Sequence, residues 1–388
     1  MAFVLQVVLL LAALAGHAVL WVGIVNRIHG VGISRWVVDG ITWVSGVALF
    51  GVPLYGLLSV FQGAEPPVPF VGWSSPWWLT RYAELSALIL VAASGGRLAL
   101  AGHGERRGAL LSVSEQTIDL HAKHGETLTA AGVPRLLSRL PGNQLLRPVL
   151  SRKELLIPGL PAALDGLRIA HLTDLHMSGR VAIDYFREII DATNAEQPDL
   201  VALTGDLVEF NPQLDWLDET LCRLTAHSGV YFVRGNHDRE MDHRRMADEL
   251  TAAGHIDLGC ASHEAELRGQ RVHFVGNELP WFRPAGNPAG DGAPVDLTIA
   301  LAHGPDQFGW AARHDVDLIL AGHNHGGQIR FPLLGALVTP SVHGTRYACG
   351  TFRRGGTVMH VSRGAGSLAP VRFNCAPELA ILTLRARS

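Results

Sequence analysis

Two stretches near the start of the chain carry no charged side chain: Phe3 to Val25, 23 residues, and Gly40 to Phe61, 22 residues. About 20 consecutive apolar residues span a bilayer as a helix, so both predict transmembrane helices. A third run, about 82–103 with its apolar part from Leu85 to His103, is interrupted by Arg97. It predicts a third span in which Arg97 snorkels to the headgroups. Trp21, Trp43, Trp77, Trp78 and Tyr82 suit the interfacial belt. A cleaved leader is disfavoured, because no basic segment precedes the first run and a second apolar run follows it. By the positive-inside rule Arg27 and Arg35 place the first loop inside, and Arg97, Arg106 and Arg107 do the same for the segment after the third run. Between them Glu65 is the main charge before Arg81. Three spans then put the C-terminal part in the cytoplasm, whereas two would put it outside. The expectation is an integral protein of the cell membrane with its larger part cytoplasmic.

Beyond residue 103 the pattern changes twice. Residues 104–165 read as a basic amphipathic linker. Between Glu126 and Glu154 the only charges are Arg135, Arg139, Arg147, Arg152 and Lys153, set among leucines and broken by Pro141-Gly142. Such a stretch can lie on a bilayer surface or pack as a linker with a solvated basic face, and both readings stay open. From 166 to 388 short β-branched or apolar runs alternate with helical periodicity over Ile183 to Ala195, Leu214 to Ala226 and Asp242 to Ala253. That alternation predicts an α/β fold with a largely parallel sheet.

Five of these runs end on polar side chains of one kind. "RIAHLTDLH" ends in Asp174 and His176, and "DLVALTGD" in Asp206. "GVYFVRGNHD" ends in Asn236, His237 and Asp238, "DLTIALAH" in His303, and "DLILAGHNH" in His323 and His325. In open α/β sheets ligands bind beyond the carboxyl ends of the strands, so the five endings can converge on one rim. Carboxylates, imidazoles and one amide, without a thiolate, suit Mn, Fe or Zn. Nine candidates exceed one tetrahedral site but suit two divalent ions that share a bridging carboxylate.

Composition removes other classes. A net charge of −3 gives no general attraction to nucleic acid, and the C-terminal part has no dense stripe of basic and aromatic residues, so no nucleic acid is expected as a partner. Cys222, Cys260, Cys349 and Cys375 form no C-x-x-C pair, which argues against a thiolate zinc site or a disulfide framework.

The order D-x-H, G-D, G-N-H-D, H, G-H-x-H resembles the calcineurin-like metallophosphoesterase family. "GHNHGGQIRFPLLG", "LAHGPD" and "SRGAGSLAPVRFNCAPELAILTL" resemble its YkuE/YaeI-type membrane-associated branch. The resemblance covers roughly residues 150 to 386. It implies a four-layer αββα sandwich, here preceded by two or three transmembrane helices, with a second sheet after Ile256. It implies that Asp174, His176, Asp206 and His325 hold a first metal, and Asp206, Asn236, His303 and His323 a second. It also implies that His237 faces the leaving group and that Asp238 orients His237. The departures are Glu209, where many relatives have Asp, and Asn324, where close relatives often have Thr; neither position is a ligand in the family pattern.

The activity so implied is hydrolysis of a phosphoester or pyrophosphate by metal-activated hydroxide. A membrane anchor makes a lipid-linked phosphate a plausible substrate, and some relatives cleave a UDP-diacylglucosamine pyrophosphate. A phosphodiesterase or phosphatase for soluble nucleotides is the alternative enzyme, and a metal-binding membrane sensor or structural protein the non-enzymatic one. His343 and Arg346, in "TPSVHGTRYACG", are candidates for substrate contact. Arg363 and Arg372 could meet a phosphate or stabilise loops, whereas His171 inside its strand and His17 in the first apolar run read as packing.

Overall fold

The computed structural model describes residues 2–64, 66–70, 77–101, 109–282, 288 and 294–387. Glu65, His103, Arg106 and Arg107 lie outside the described residues, as does the side chain of Arg97. The chain forms two compact units, Met1–Gly104 and Glu105–Ser388.

The first unit holds α1 (Ala2–Ile28), α2 (Arg35–Phe61) and α3 (Trp77–Ala101). Among the described residues two helices, Phe3–Ile28 and Arg35–Phe61, are long and apolar enough to cross a membrane. The third apolar run is also helical, within α3, where Arg81 and Glu84 pair at 2.6 Å. Gly16 lets α1 approach α3 closely, because a Cβ there would lie 1.7 Å from the Ser86 carbonyl oxygen. His17 is a packing residue: its ring nitrogens lie 2.6 Å from the Tyr82 hydroxyl and 3.1 Å from the Leu49 carbonyl.

Among the described residues the second unit contains fifteen strands. In chain order they are β1 (Leu110–Thr117), β2 (Val149–Leu156), β3 (Arg168–Leu172), β4 (Leu200–Thr204), β5 (Val230–Val233), β6 (Ile256–Asp257), β7 (Ser262–Leu267), β8 (Gln270–Asn277), β9 (Leu297–Ala302), β10 (Leu318–Ala321), β11 (Arg330–Phe331), β12 (Gly335–Ala336), β13 (Gly350–Arg354), β14 (Thr357–Val361) and β15 (Glu378–Arg385). Its helices are α4 (Leu120–His124), α5 (Val133–Ser138), α6 (Ile183–Ala195), α7 (His243–Ala252) and α8 (Phe308–Arg313). One sheet runs β1-β2-β15-β3-β4-β5-β6, the other β13-β14-β10-β9-β8-β7, and β11-β12 is a separate hairpin.

Strand alternation divides the core into the layers of an αββα sandwich. Ala170, Leu172, Val201, Leu203 and Phe232 face one way, onto Phe186 and Ile189 of α6 and Met246 and Leu250 of α7. Their neighbours Ile169, Ala202, Tyr231 and Val233 face the second sheet and pack with Val272, Phe274, Ile299, Leu301, Leu318 and Leu320. On that sheet's far face Ala300, Ile319 and Met359 meet Phe308 and Ala311 of α8.

Two sequence expectations change. Residues 104–165, read as a linker, contain β1 and β2. β2 pairs with β15 over its full length, in register from Val149↔Glu378 to Leu156↔Arg385. The basic charges of this stretch hid an alternation in which Val149, Ser151, Lys153 and Leu155 are all buried. Leu214 to Ala226 is not an α-helix but two 3₁₀ turns, Asn211–Glu219 and Leu221–Arg223. Leu214 and Leu217, then Leu221 and Leu224, are spaced by three, which stacks side chains in a 3₁₀ turn. The break at Thr220 between the pairs imitates the spacing of four that an α-helix needs.

A string of buried polar side chains crosses between the sheets. Lys153 donates to His360 Nε2 at 2.9 Å, which leaves the His360 proton on Nδ1. That atom lies 2.9 Å from His171 Nδ1, and His171 Nε2 lies 2.9 Å from Thr204 Oγ1. Burial keeps both imidazoles neutral, with His171 pushed down to about 3. Glu378 compensates the Lys153 charge at 2.7 Å, and Arg363 lies 3.3 Å from the same oxygen. Burial raises the Glu378 pKa, but Lys153 and Arg363 outweigh it and hold the carboxyl well below the usual range.

Glu378→Gln leaves a buried ammonium without its counter-charge, a loss of about 3–5 kcal/mol in comparable buried pairs. The expected result is a clear fall in the thermal unfolding midpoint of the full-length protein in detergent. An unchanged midpoint would mean that the Lys153 charge is compensated elsewhere.

Candidate functional site

The strand endings converge where the carboxyl ends of β3, β4 and β5 face those of β9 and β10. The backbone ties them first. Asp174 N–H donates to the Gly205 carbonyl at 3.0 Å, His176 N–H to the Asp206 carbonyl at 3.0 Å, and Gly322 N–H to the His303 carbonyl at 2.8 Å. The sheets are joined by His323 N–H, which donates to Asp174 Oδ2 at 2.9 Å, and by His303 Nδ1, 2.8 Å from the Thr204 carbonyl.

Close approach dictates the glycines here. A Cβ on Gly235 would lie 2.2 Å from Asp206 Oδ1, and one on Gly322 would lie 2.3 Å from Asp174 Oδ2. Conversely, five side-chain-bearing residues adopt left-handed backbone: Asp174 (φ 54°), His176 (46°), Asp206 (52°), His323 (69°) and His325 (48°). Each costs roughly 1 kcal/mol relative to ordinary backbone. Strain of this kind persists only where surrounding structure enforces it, and it concentrates at functional sites.

Two donor clusters result. Asp174, His176 and His325 form one, with His176 Nε2 3.0 Å from His325 Nε2 and the latter 3.4 Å from Asp174 Oδ1. Asp206, His303 and His323 form the other, with His303 Nε2 3.2 Å from Asp206 Oδ2 and 3.1 Å from His323 Nδ1. Asn236 Oδ1 joins the second cluster, 3.1 Å from His303 Nε2. Asp206 lies between them, since its Oδ2 is also 3.6 Å from His176 Nε2.

The donor chemistry fits divalent metal ions. The Thr204 carbonyl can only accept, so His303 keeps a proton on Nδ1 and it is Nε2 that faces inward. Glu209 accepts from His176 Nδ1 at 2.9 Å and turns that Nε2 inward in the same way. Metal-ligating imidazoles are held in this manner through their other nitrogen. Spacings of 3.0–3.4 Å between donors match the edges of a polyhedron with bonds of about 2.1 Å. Asp174 and Asp206 are fully buried, and their described partners are backbone N–H groups, the Thr173 hydroxyl and imidazoles, with no lysine or arginine among them. Burial raises Asp206, but His303, His237 and His176 together hold it well below the carboxylate range. Burial pushes Asp174 up. Burial lowers His303, yet Asp206 beside it prevails and drives that imidazole up to about 9. Arg372 Nη2 donates to His325 Nδ1 at 3.1 Å and adds to burial and His176 in keeping His325 neutral.

His237 sits at the edge of the clusters, its ring edge-on to His176 with centroids 4.8 Å apart. Its backbone N–H donates to Asp206 Oδ1 at 2.9 Å. The carboxylate at its Nδ1 is that of Glu209, at 2.9 Å, and not that of Asp238. Asp238, expected to orient the His237 ring, shapes backbone instead. Its Oδ1 accepts the N–H groups of Leu207 and Val208, and its Oδ2 those of Asp206 and Gly235. Glu209 is therefore the residue that sequence reasoning undervalued. One carboxylate reaches two imidazoles, a contact for which the extra methylene over aspartate provides length.

The other candidates lie around this centre. His343 packs edge-on to Tyr347 at 5.2 Å, and the Arg346 guanidinium stands 5.4 Å from the same ring. Their turn is tied to the clusters through Asn324, whose Nδ2 donates to the Tyr347 carbonyl at 2.7 Å. Arg372 is fully buried and donates to the carbonyls of His325, Arg363 and Gly366 and to Ser367, so it holds loops together. Trp281 was not anticipated. It stacks edge-on to His303 and His323 at 5.3 and 4.8 Å, and its only signal in the sequence is its position four residues past β8.

A two-sheet sandwich with these donors at its strand ends defines a metal-dependent phosphoesterase. The chain belongs to the calcineurin-like phosphoesterase family, whose pattern matches residues 167–327. Over 222 residues it is 31% identical to phosphodiesterase YaeI of Escherichia coli, covering 56% of this chain and 82% of that protein. Over 239 residues it is 29% identical to the uncharacterized metallophosphoesterase YkuE of Bacillus subtilis, covering 58% and 82%. A transmembrane protein with a metallophosphoesterase domain from Danio rerio is 27% identical over 256 residues, covering 60% and 56%.

Glu209 carries a testable pH signature. Burial raises its pKa, but the hydrogen bonds from His176 and His237 prevail and bring it down to about 2, against 4.5 unfolded. Because the folded value is depressed, its stabilisation is complete above pH about 4.5 and lost as pH falls toward 2. The metal-free Glu209→Gln protein should unfold more easily than wild type near neutral pH, with the gap narrowing steadily below pH about 4.5. A gap independent of pH would assign the effect to packing.

Proposed function

We propose that the protein is a membrane-anchored hydrolase that cleaves a phosphoester or pyrophosphate bond, with lipid-linked phosphates as its substrate class. The observation that carries this reading is the pair of donor clusters sharing Asp206, with His237 beside them. Asp174, His176, Asp206 and His325 hold one divalent ion. Asp206, Asn236, His303 and His323 hold another. When bound, such ions supply Lewis acidity toward phosphoryl oxygens and make water acidic enough to attack. Manganese, iron and zinc all suit the donor set.

The chain's own residues do the remaining work. Thr204 and Glu209 fix the tautomers of His303 and His176. Glu209 accepts from Nδ1 of His237, which aims Nε2 at the departing oxygen and steadies the imidazolium as it gives up its proton. Asp238 holds the 206–208 backbone so that Asp206 Oδ2 faces both clusters, while Oδ1 accepts the His237 N–H. His343 and Arg346 contribute to the substrate side. Helices α1, α2 and α3 anchor the N-terminal unit in the cell membrane, and three crossings keep the catalytic unit in the cytoplasm, beside phosphates carried on lipids.

Asp206→Asn should lower the divalent metal bound per chain and reduce hydrolysis of bis(p-nitrophenyl) phosphate by orders of magnitude, while the fold is retained. Normal metal content together with normal turnover would reject the shared-carboxylate assignment. His237→Ala should keep its metal but lose about 10²–10⁴-fold in rate, with the loss shrinking for esters of very acidic alcohols that need no proton. An equal loss for all leaving groups would reject the role.

A further inference from the structure

The loop that carries His323 and His325 continues directly into the β11-β12 hairpin, and that hairpin exposes apolar side chains. Ile329 (40%), Phe331 (47%), Leu334 (71%), Leu337 (40%) and Val338 (51%) are exposed, and Leu333 at the tip is fully so. Leu333 also adopts left-handed backbone, φ 66°, at a position where glycine or asparagine is easier. A leucine there is thus costly twice over, in strain and in contact with water, and nothing it packs against within the domain offsets either.

The hairpin is firmly rooted. A Cβ on Gly327 would lie 2.3 Å from the Ala336 Cβ, so the returning strand rests on the glycine two residues after His325. Arg330 N–H donates to the Phe373 carbonyl at 3.0 Å, and Asn374 Nδ2 to the Arg330 carbonyl at 3.0 Å. The tip is therefore a fixed projection beside the clusters.

Charge indicates what it meets. From Leu318 to Pro377 the sequence has no aspartate or glutamate, and of its six arginines Arg330 lies in the hairpin and Arg346 in a later turn, while Arg372 is buried and Arg363 is paired with Glu378 and Glu115. Apolar side chains with cations at their base match the acyl boundary and anionic headgroups of a bilayer. A second copy of the chain docked through this face would set those arginines against themselves. The tip is convex and largely aliphatic, which suits a soft apolar phase better than a shaped pocket. We propose that the β11-β12 hairpin is a bilayer wedge that inserts Leu333 and Leu334 among lipids and sets the rim of the clusters at headgroup level. This deepens the lipid-phosphate reading above and rests on its membrane anchoring.

The test uses full-length protein in vesicles of phosphatidylcholine with phosphatidylglycerol that carry nitroxide-labelled lipid. A fluorescent label is placed at Leu333→Cys in a Cys260→Ser background, and in a second chain at Val338→Cys. Cys260 of the otherwise unaltered chain, naturally exposed, serves as the control position. The Cys260→Ser chain alone supplies the background. Several-fold stronger quenching at Leu333→Cys than at Cys260, with Val338→Cys between, is expected. Equal quenching at all positions, in protein that floats with the vesicles, overturns the wedge and leaves the anchored phosphoesterase standing. A Leu333→Cys signal that grows with protein-to-lipid ratio overturns it in favour of a second copy. Protein that fails to float with the vesicles overturns the anchoring, and the wedge with it.

Discussion

Two buried carboxylates, Asp174 and Asp206, set the terms on which the two sheets meet. Neither has a lysine or arginine among its described partners, so each is held by backbone N–H groups and imidazoles. Those groups come from both sheets: His323 N–H reaches Asp174 from the loop after β10, and His303 reaches Asp206 from the end of β9. Apart from the string from Lys153 to Thr204, apolar side chains fill the space between the sheets, but at this end electrostatics fix the separation. The left-handed backbone at five residues is the cost of turning donors inward from strands whose natural course would carry them outward.

The sequence made much of this readable, for a physical reason. Parallel strands end where ligands bind, so a polar residue just past an apolar run is informative, and five such endings point to one rim. All seven predicted donors do come together. The α/β class was readable from strand-like apolar runs that alternate with helical stretches. What could not be read was which side chain serves which partner. Asp238 follows His237 directly, and the family resemblance implied that one orients the other. The chain turns between them, however, so the Asp238 carboxylate faces the 206–208 backbone. Glu209 acquires its role by reach across space, from a position that spacing marks only as near Asp206.

β2 was obscured for another reason. Its charged residues Arg152, Lys153 and Glu154 look solvated in a one-dimensional reading, because the partner that makes Lys153 burial tolerable, Glu378, is 225 residues away along the chain (378 minus 153). Long-range compensation of charge leaves no local trace. The same holds for His171, recognisable in the sequence only as a core histidine, and for its partner His360. Their pairing, and the string from Lys153 to Thr204 that it completes, exists only once both sheets are assembled.

The place of β2 inside the larger sheet determines how the catalytic unit could ever be released from the apolar N-terminal helices. A cut at residue 166, where the motif-bearing segment begins, would remove β1 and β2 together. The edge of β15 would be laid bare along its length, an invitation to pair with strands of other chains. Glu378 would lose its lysine at the same stroke. A cut at residue 151 would divide β2 itself. The smallest fragment with an intact sheet begins ahead of Leu110, so the segment that first looked like a tether belongs to the body it was thought to hold.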